Sequence, residues 1–400
     1  MQPDPAGVSH ALVIQLARLG DLVQTLPALH ALQSRHPDRA FDLLCAAPLA
    51  DLVRAGFSVN RVLPWDGGRC RTWANDWAHD PLGAVHRLQQ YIEGLSPWRY
   101  EDAYNLNQHA RAILAAHLLA ARVTGAGAAG LQSAELSSWA AYLRGVAGHR
   151  GLNRVHLADA FCGLCGVRPR GRASIIRPGT VELPSDLEGI GRNGDNWAAV
   201  VIGAGDTERC VPPKVWTAWI AAFLAADSHA KVVLIGSGGE RETAHAIQSA
   251  LPAMLLGRVW DATGRTTLPQ LMTILSRNKW VVGADTGPLH LGTAVGAQAV
   301  GFYFARARVH ETGPYGEGHW VFQHKAGASP ANWPIGPSIE LMCTGHGTRE
   351  AEWERWTSHV DEWGAYFEGD IGTDSGASQR ELVWRRLSSC LMPAEHDEYV

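Results

Sequence analysis

The stretch WVVGADTGPLHLGTAVGAQAVGFY, residues 280–303, constrains the fold more than any other part of the sequence. It opens with a short apolar run at residues 280–283, which predicts a buried strand followed by a turn. Pro288 suits the first turn of a helix, because its φ is already fixed and its missing N–H would have no partner there. The helix would end at Gly296, and the apolar residues 299–303 predict a second strand. The stretch therefore predicts one β–α–β unit of a parallel sheet.

The loop between this strand and this helix has the chemistry of a ligand site. Ligands of open α/β sheets bind at the carboxyl ends of the strands. Free N–H groups at Gly287 and Leu289 suit a phosphate, and Thr286 adds a hydroxyl donor. Asp285 would repel a phosphate, so it is expected to accept hydrogen bonds from sugar hydroxyls or to cap the helix. The alternative is that Asp285 and Thr286 form only a turn and an N-cap.

Length and charge exclude several classes of protein. Four hundred residues favour two domains over one core. The net charge of −4 gives no reason to expect a nucleic-acid partner. The first ten residues lack the apolar stretch of a secretory signal, and no run is long enough to span a bilayer. We therefore expect a cytoplasmic protein whose contact with a membrane, if any, is peripheral.

The seven cysteines are scattered, which is typical of a reduced, intracellular chain. Cys162 and Cys165 have the spacing of a metal knuckle, but no second C-x-x-C pair answers them. Their surroundings have a helical period, so we expect core thiols and no metal site. The sequence also lacks a D-x-D-like pair at a strand end, so no metal or other cofactor is expected.

The N-terminal part predicts a doubly wound parallel sheet, because strands at residues 11–16, 41–45 and 61–64 alternate with helices at 21–35 and 48–55. No G-x-G-x-x-G follows the first strand, so a dinucleotide is not expected there. The first loop offers Arg18 and, at the opening of the helix, Asp21. Asp21 is either an N-cap or a general base that projects toward a ligand.

Two motifs together resemble the signature of the family 9 glycosyltransferases, the heptosyltransferases of lipopolysaccharide core synthesis. The first is DTGPLH at residues 285–290, which includes His290 and is followed by TGPYG at 312–316. The second is LARLGDLVQTLPAL at residues 16–29, in which the family's aspartate is the proposed catalytic base and corresponds to Asp21. The resemblance covers residues 11–323.

The resemblance also indicates candidate ligand-binding residues in further loops. His109 and Arg111 open a helix in a polar loop that lines the cleft in the family, so they are candidates for acceptor binding together with Arg18. Thr207 and Arg209 follow a predicted strand and could cradle a diphosphate, although Val211 replaces the family's tryptophan. Each of these residues could instead be an ordinary surface side chain.

Glu240 follows the next predicted strand and fits the family's acidic position for ribose hydroxyls. The alternative is a glutamate that merely favours a helix N-terminus. The loop at residues 262–267 resembles the one ahead of the adenine pocket.

The resemblance implies a GT-B fold, with two Rossmann-like doubly wound domains facing across a cleft. It divides the chain into an acceptor-binding domain, a linker, a nucleotide-sugar-binding domain and a helical tail, at residues 1–170, 171–196, 197–330 and 331–400. It further implies transfer of a heptose from ADP-heptose to a lipopolysaccharide core acceptor, with inversion, at the inner face of the inner membrane. Three alternatives stay open: another nucleotide-sugar, a protein acceptor, or a non-catalytic sugar-nucleotide binder.

The end of the chain departs from the α/β pattern. Tryptophan and glutamate at helical spacing predict a helix at residues 350–366. A linker at 371–378 and a second helix at 379–391 would follow. This tail lies beyond the family pattern.

Overall fold

The computed structural model describes residues 9–370 apart from 77, 97, 129–137, 147–149, 151–152, 170–174, 192–195, 326–329 and 362–363. The chain divides into two compact units, with the boundary at residues 170 and 171. The predicted linker 371–378 and helix 379–391 lie outside the described residues.

The first unit contains a five-stranded sheet in which every strand pair is parallel. Its elements in chain order are β1 His10–Gln15, α1 Leu19–Gln24, α2 Leu26–Arg35, β2 Ala40–Ala46, α3 Ala50–Gly56, β3 Val62–Trp65, α4 Gly67–Asp76, α5 Pro81–Leu95, β4 Tyr100–Asn105, α6 Ala110–Leu119, β5 Ala120–Gly125, α7 Ser138–Val146 and α8 Leu157–Leu164. The strand order is β3-β2-β1-β4-β5. The chain therefore reverses direction between β1 and β4, and this switch point is where an open sheet binds its ligand.

The second unit contains an eight-stranded sheet in the order β13-β12-β11-β10-β9-β6-β7-β8. Its elements are β6 Trp197–Val201, α9 Pro213–Ala226, β7 Lys231–Ile235, α10 Arg241–Ala250, α11 Ala253–Leu256, β8 Val259–Asp261, α12 Leu268–Ser276, β9 Trp280–Ala284, α13 Gly287–Ala294, β10 Gln298–Tyr303, α14 Val309–Thr312, β11 Trp320–His324, α15 Ile335–Thr344, β12 Trp353–Asp361 and β13 Gly364–Gly369. Strands β6 to β11 pair with one another in parallel. Here the switch point lies between β6 and β9.

Most residues of the central strands of both sheets are buried because helices cover both faces. In the second unit, α9 contributes Trp216, Trp219 and Phe223 to the core, all three fully buried. The predicted βαβ unit at residues 280–303 is β9, α13 and β10. Gly296 has a φ of +96° directly after α13, as a glycine at a helix C-terminus does.

The single helix predicted at residues 21–35 is two helices. α1 ends at Thr25, which also serves as the N-cap of α2, and Pro27 occupies the first turn of α2. Proline fits a first turn and cannot continue a helix, since it has no N–H to donate. The break leaves a short α1 that begins right after the loop of β1.

The predicted helix at residues 350–366 is wrong. These residues form β12 and β13, which extend the sheet by antiparallel pairing onto β11. Trp353 and Trp356 suggested a helical period of three, but both lie buried in strand β12. Pairing with an existing sheet edge outweighs such a weak periodic signal. The tail is therefore part of the second domain's sheet up to residue 369, with α15 as its one helix among the described residues.

The predicted linker packs on the second unit in its described part. Ile176 N–H donates to the carbonyl of Ala294 at 2.7 Å, and Arg265 pairs with Asp186 at 2.6 Å. Among the described residues, no helix is long and apolar enough to cross a membrane.

Candidate active site

Asp21 lies in the first turn of α1, at the carboxyl edge of the first sheet. The N-cap of α1 is Arg18, so Asp21 is not the N-cap residue that one interpretation predicted. Its Oδ2 instead accepts a hydrogen bond from the backbone N–H of Arg18 at 3.2 Å. Its side chain is half-buried, whereas Arg18 is exposed. This hydrogen bond from the loop after β1 thus fixes the orientation of the Asp21 carboxylate.

A buried network of amide side chains holds this loop to the neighbouring strand. Asn107, in the loop after β4, accepts from the Leu16 N–H at 2.6 Å through its side-chain oxygen, and its Nδ2 donates to Gln15 at 2.5 Å. Gln15 in turn donates to the Thr25 hydroxyl at 3.2 Å, and this hydroxyl donates to the carbonyl of Asp21 at 2.9 Å. Hydrogen bonds therefore join the two loops of the switch point, and each buried polar side chain in this network has a partner.

A cavity of about 380 Å³ opens at the same edge. Its walls come from the loops after β1, β2 and β3 and from the start of α6, at Leu16, Ala46–Pro48, Trp65–Gly68, Arg71, His109 and Arg111. Among the described residues, neither Arg71 nor Arg111 has a carboxylate partner. Asp66 also lines the cavity, where its Oδ1 accepts from the N–H groups of Gly68 and Arg69 at 3.0 Å. The cavity therefore presents unpaired guanidinium groups, which suit an anionic ligand.

His109 is the N-cap of α6, and its Nδ1 accepts from the Ala112 N–H at 3.2 Å. Burial and the nearby Arg111 guanidinium lower the pKa of His109 below its ordinary value of 6.5. The imidazole is therefore neutral at pH 7, and the cavity's positive charge comes from the arginines.

At the switch point of the second unit, Asp285 contacts two other predicted residues, Arg209 and His290. Arg209 Nη1 donates to the carbonyl of Asp285 at 2.9 Å and to its Oδ2 at 3.3 Å. The other carboxylate oxygen of Asp285 lies 3.2 Å from Nε2 of His290, which is 3% exposed. His290 thus holds Asp285 from the interior of α13 and has no surface for a ligand. Asp285 occupies both oxygens with side chains and does not cap the helix.

The start of α13 differs from the prediction in one donor. Thr286 is the N-cap, Pro288 is in the first turn, and the N–H of Leu289 donates to the carbonyl of Thr286 at 3.1 Å. The prediction that the Leu289 amide is free is therefore wrong, because the first turn closes by an i−3 bond. The Thr286 hydroxyl oxygen is buried and has no hydrogen-bond partner among the described residues. A buried hydroxyl of this kind normally requires a partner.

Glu240 lies between the ends of β6 and β7. Its Oε2 accepts from the N–H and the hydroxyl of Ser237, both at 2.6 Å, which closes a capping box. A Cβ at Gly203 would stand 2.7 Å from Oε1 of Glu240, so only glycine admits the carboxylate at the end of β6. The helix-start interpretation is correct for one oxygen, and the second oxygen, Oε1, lies beside Gly203 after the end of β6.

Two further residues complete the second switch point. Thr207 is exposed in the short helical turn after β6 that also carries Arg209. Val211, at the position where the family has tryptophan, is buried in the core of the unit. Sequence reasoning missed Arg71 and Thr263. Arg71 lies in the irregular segment 65–96, in which sequence reasoning named no site residue, and Thr263 has a buried hydroxyl without a hydrogen-bond partner among the described residues, just after β8.

Cys162 and Cys165 are buried at the end of α8, as core thiols. Within the part of the chain that the structure describes, no three His, Cys, Asp or Glu side chains are grouped as metal ligands.

Comparison with known proteins agrees with this geometry. Residues 193–332 match the family model described as glycosyltransferase family 9 (heptosyltransferase). The fold is similar to that of a glycosyl transferase family 9 protein from Veillonella parvula, with a TM-score of 0.60 and 16% identity over 98% of each chain.

Two solved Escherichia coli enzymes also resemble the chain. Heptosyltransferase WaaC with ADP gives a TM-score of 0.56 at 19% identity, covering 77% of this chain and 91% of that one. ADP-heptose lipopolysaccharide heptosyltransferase II gives 0.55 at 17%, covering 76% and 87%. No curated protein sequence matched the chain. The resemblance predicted from the sequence is confirmed: the chain has the GT-B fold, and its residues 193–332 match the family 9 glycosyltransferase (heptosyltransferase) model.

Proposed function

We propose that the protein transfers a heptose from ADP-heptose to a sugar of the lipopolysaccharide core, with inversion at the anomeric carbon and with Asp21 as the general base. The observation that carries the proposal is the family 9 match, which spans both loops of the second switch point. Two similar structures support the donor, since WaaC was solved with ADP and with an ADP-2-deoxy-2-fluoro heptose.

The second unit supplies groups for the donor. Arg209 has five N–H donors, and its contacts with Asp285 come from Nη1, so Nη2 and Nε could bind the diphosphate. The Gly287 amide and the Thr286 hydroxyl, at the positive end of α13, would add to the phosphate site. Glu240 would accept from the ribose hydroxyls, while Asp285 would accept from the sugar. Thr207 would lie beside the diphosphate.

The first unit supplies groups for the acceptor. Arg18 and Arg111, as predicted, and Arg71 would bind acidic or phosphorylated groups of a core glycan, for which unpaired guanidinium groups are well suited. His109 would contact the acceptor as a neutral imidazole.

In the reaction, Asp21 would remove the proton from the acceptor hydroxyl as its oxygen attacks the anomeric carbon. The new C–O bond forms on the face opposite the diphosphate while the bond to the diphosphate oxygen breaks. The electron pair leaves with ADP, whose growing charge Arg209 and the start of α13 would stabilise. Direct displacement inverts the anomeric configuration. The enzyme would act in the cytoplasm at the inner face of the inner membrane, where a lipid-linked acceptor is available.

The test is a panel of ADP-heptose, ADP-glucose, UDP-glucose and GDP-mannose, offered with a heptose-deficient core glycan. Release of the nucleoside diphosphate is the readout. A site built to bind particular hydroxyls should favour ADP-heptose by at least about a hundredfold in kcat/KM. Greater release from another donor would identify that donor, and not ADP-heptose, as the substrate. Binding without release from any donor would favour the non-catalytic alternative.

A further inference from the structure

Exposed large apolar side chains are concentrated on two helices of the first unit. Leu82 and Val85 on α5 are 84% and 45% exposed, and Leu114 and Leu118 on α6 are each 38% exposed. In the described part of the second unit the comparable side chains are Ile175, Met254 and Leu256. Single exposed apolar residues are ordinary, but a cluster on adjoining helices marks a contact surface.

The topology places α5 and α6 on one face of the sheet. The chain crosses from β3 to β4 through α5 and from β4 to β5 through α6, moving in the same direction each time. Because such crossovers are right-handed, both helices cover the same face, and both contribute to one core cluster. Helix α6 begins at the carboxyl edge of the sheet, so Leu114 lies in its first turns beside the cavity. Helix α5 meets this edge at Tyr91, whose hydroxyl accepts from the Asp66 N–H and donates to the Pro64 carbonyl, so Leu82 and Val85 lie in earlier turns beyond the edge.

Helix α6 is apolar on its inner and its outer side. Ala112, Ala116 and Leu119 pack against the sheet, while Leu114 and Leu118 point to solvent. A helix that is apolar all round is normally covered on both sides. Its outer stripe begins with Arg111, which precedes Leu114 by three residues and Leu118 by seven, so the cation and the two leucines share one face.

The charges beside this stripe fit an anionic surface. Arg71 and Arg111 have no carboxylate partner, and they line the cavity at the helix starts. By contrast, Arg87 on α5 is paired with Asp76 and Asp80. Helix α6 carries no acidic residue. Leucine side chains next to unpaired guanidinium groups are the combination that binds acyl chains and lipid phosphates together.

We propose that the outer faces of α5 and α6, with Arg71 and Arg111, form a docking surface for an anionic lipid bilayer. The leucines enter the boundary of the acyl chains, and the guanidinium groups bind the headgroup phosphates. The cavity then opens at the bilayer surface, where a lipid-linked glycan can enter it. This inference rests on the proposed function for the choice of a lipid-linked acceptor, and it adds the surface that brings the enzyme to that acceptor.

The experiment is co-sedimentation of the full-length protein with two kinds of vesicle. One contains phosphatidylethanolamine and phosphatidylglycerol, and the other contains phosphatidylcholine alone. The wild type should bind the anionic vesicles, and salt should weaken the binding. Replacing two inserted side chains, as in Leu114→Ser with Leu118→Ser or Leu82→Ser with Val85→Ser, should lower the partition coefficient about tenfold or more. Met254→Ser with Leu256→Ser is the matched control and should bind as the wild type does.

Absence of wild-type binding to anionic vesicles would overturn the proposal, as would an equal loss in the control. A dimer in sedimentation velocity that the α6 substitutions dissociate would identify a subunit contact instead. Release of ADP with a soluble acceptor that lacks acyl chains should stay within about twofold in all three variants, since the cavity is intact. A wild type that binds vesicles but releases no ADP would overturn the proposed function and leave the docking surface standing.

Discussion

The switch point of the first sheet and that of the second sheet carry their charges in opposite ways. At the second, the Asp285 carboxylate lies between Arg209 and His290, and the charges of Arg209 and Asp285 neutralise each other within the protein. At the first, Arg71 and Arg111 line a cavity without a carboxylate partner in the described residues. The first five parallel strands of each sheet follow the same order, and the chemistry differs because the loops after the strands differ.

The difference indicates how each site is built for its ligand. A paired Arg209 is held in one orientation before the ligand arrives, and such preorganisation favours a fixed diphosphate geometry. An unpaired cluster attracts anions over a distance and tolerates more than one arrangement of them. We therefore expect substitutions in the second unit to change donor affinity, and those in the first to change turnover or the acceptor.

The largest effect should come from Asp21→Asn. Asparagine keeps the shape and can still accept from the Arg18 N–H, but it cannot take a proton. Turnover should fall by about two to four orders of magnitude, the usual contribution of a general base. ADP affinity and the melting temperature should stay at wild-type values, and both are measured on the same preparation. Normal turnover would leave Asp21 with a structural role only.

The next effects should separate two neighbouring residues of the second unit. Gly287→Val places a branched side chain at the start of α13, where it blocks approach to the amide. It should weaken ADP and ADP-heptose alike by about ten- to a hundredfold, the loss of a charge-assisted hydrogen bond. Titration calorimetry with both ligands gives the two constants.

Asp285→Asn should weaken ADP-heptose and spare or tighten ADP, because it removes a negative charge near the phosphates and an acceptor for sugar hydroxyls. The structure sharpens this test, since Asp285 also holds Arg209. Equal losses for both ligands would show that Asp285 only positions Arg209, and the sugar contact should then be dropped.

A smaller effect should follow from Arg71→Gln at the first switch point. Loss of one unpaired guanidinium should raise the KM for an anionic core acceptor by about tenfold, with the donor KM unchanged. Arg54→Gln is the matched control, because Arg54 forms an exposed ion pair with Asp51 on α3. Such a pair contributes little, so the control should match the wild type. An unchanged acceptor KM in Arg71→Gln would remove this residue from the acceptor site.

The smallest effect concerns His109 and pH. Its pKa is lowered in the folded protein, so the stability that the neutral imidazole contributes is present above pH 6.5 and is lost as the pH falls through the folded pKa. Protonation also removes the acceptor of the Ala112 N–H. His109→Asn keeps the cap without titrating, so its melting temperature should fall less than that of the wild type between pH 7 and 5. In free energy of unfolding, the two proteins should differ by about 1 kcal/mol or less. An equal fall in melting temperature for the two proteins would contradict the lowered pKa of His109.

The sequence predicted the parts of the fold that rest on strong local signals. Continuous apolar runs predicted the central strands, and the DTGPLH loop predicted a ligand site at what is the second switch point. Strand β12 escaped prediction because its pairing partner, β11, is remote in sequence and edge pairing leaves no periodic signature of its own. Strand β13 pairs in turn with β12, so it escaped prediction together with β12.

The sequence predicted individual residues of the candidate site better than it predicted the contacts between them. The pattern named Arg209, Asp285 and His290 separately as ligand-binding residues, but only the tertiary structure brings Arg209 to Asp285, 76 residues along the chain. Arg71 could not be singled out, because the sequence of an irregular segment does not distinguish an arginine that lines a cavity from one that faces solvent. Thr263 likewise became visible only through its buried hydroxyl.

The central claim is that the second unit holds the nucleotide and the first unit does not. Titration of ADP into three full-length proteins tests it most directly: the wild type, a variant with Asp21→Asn and Arg111→Gln, and a variant with Arg209→Gln and Thr286→Val. The account predicts that the first variant binds ADP as the wild type does and that the second binds it at least about tenfold more weakly. Loss of ADP affinity in the Asp21 and Arg111 variant, with affinity retained in the Arg209 and Thr286 variant, would contradict it.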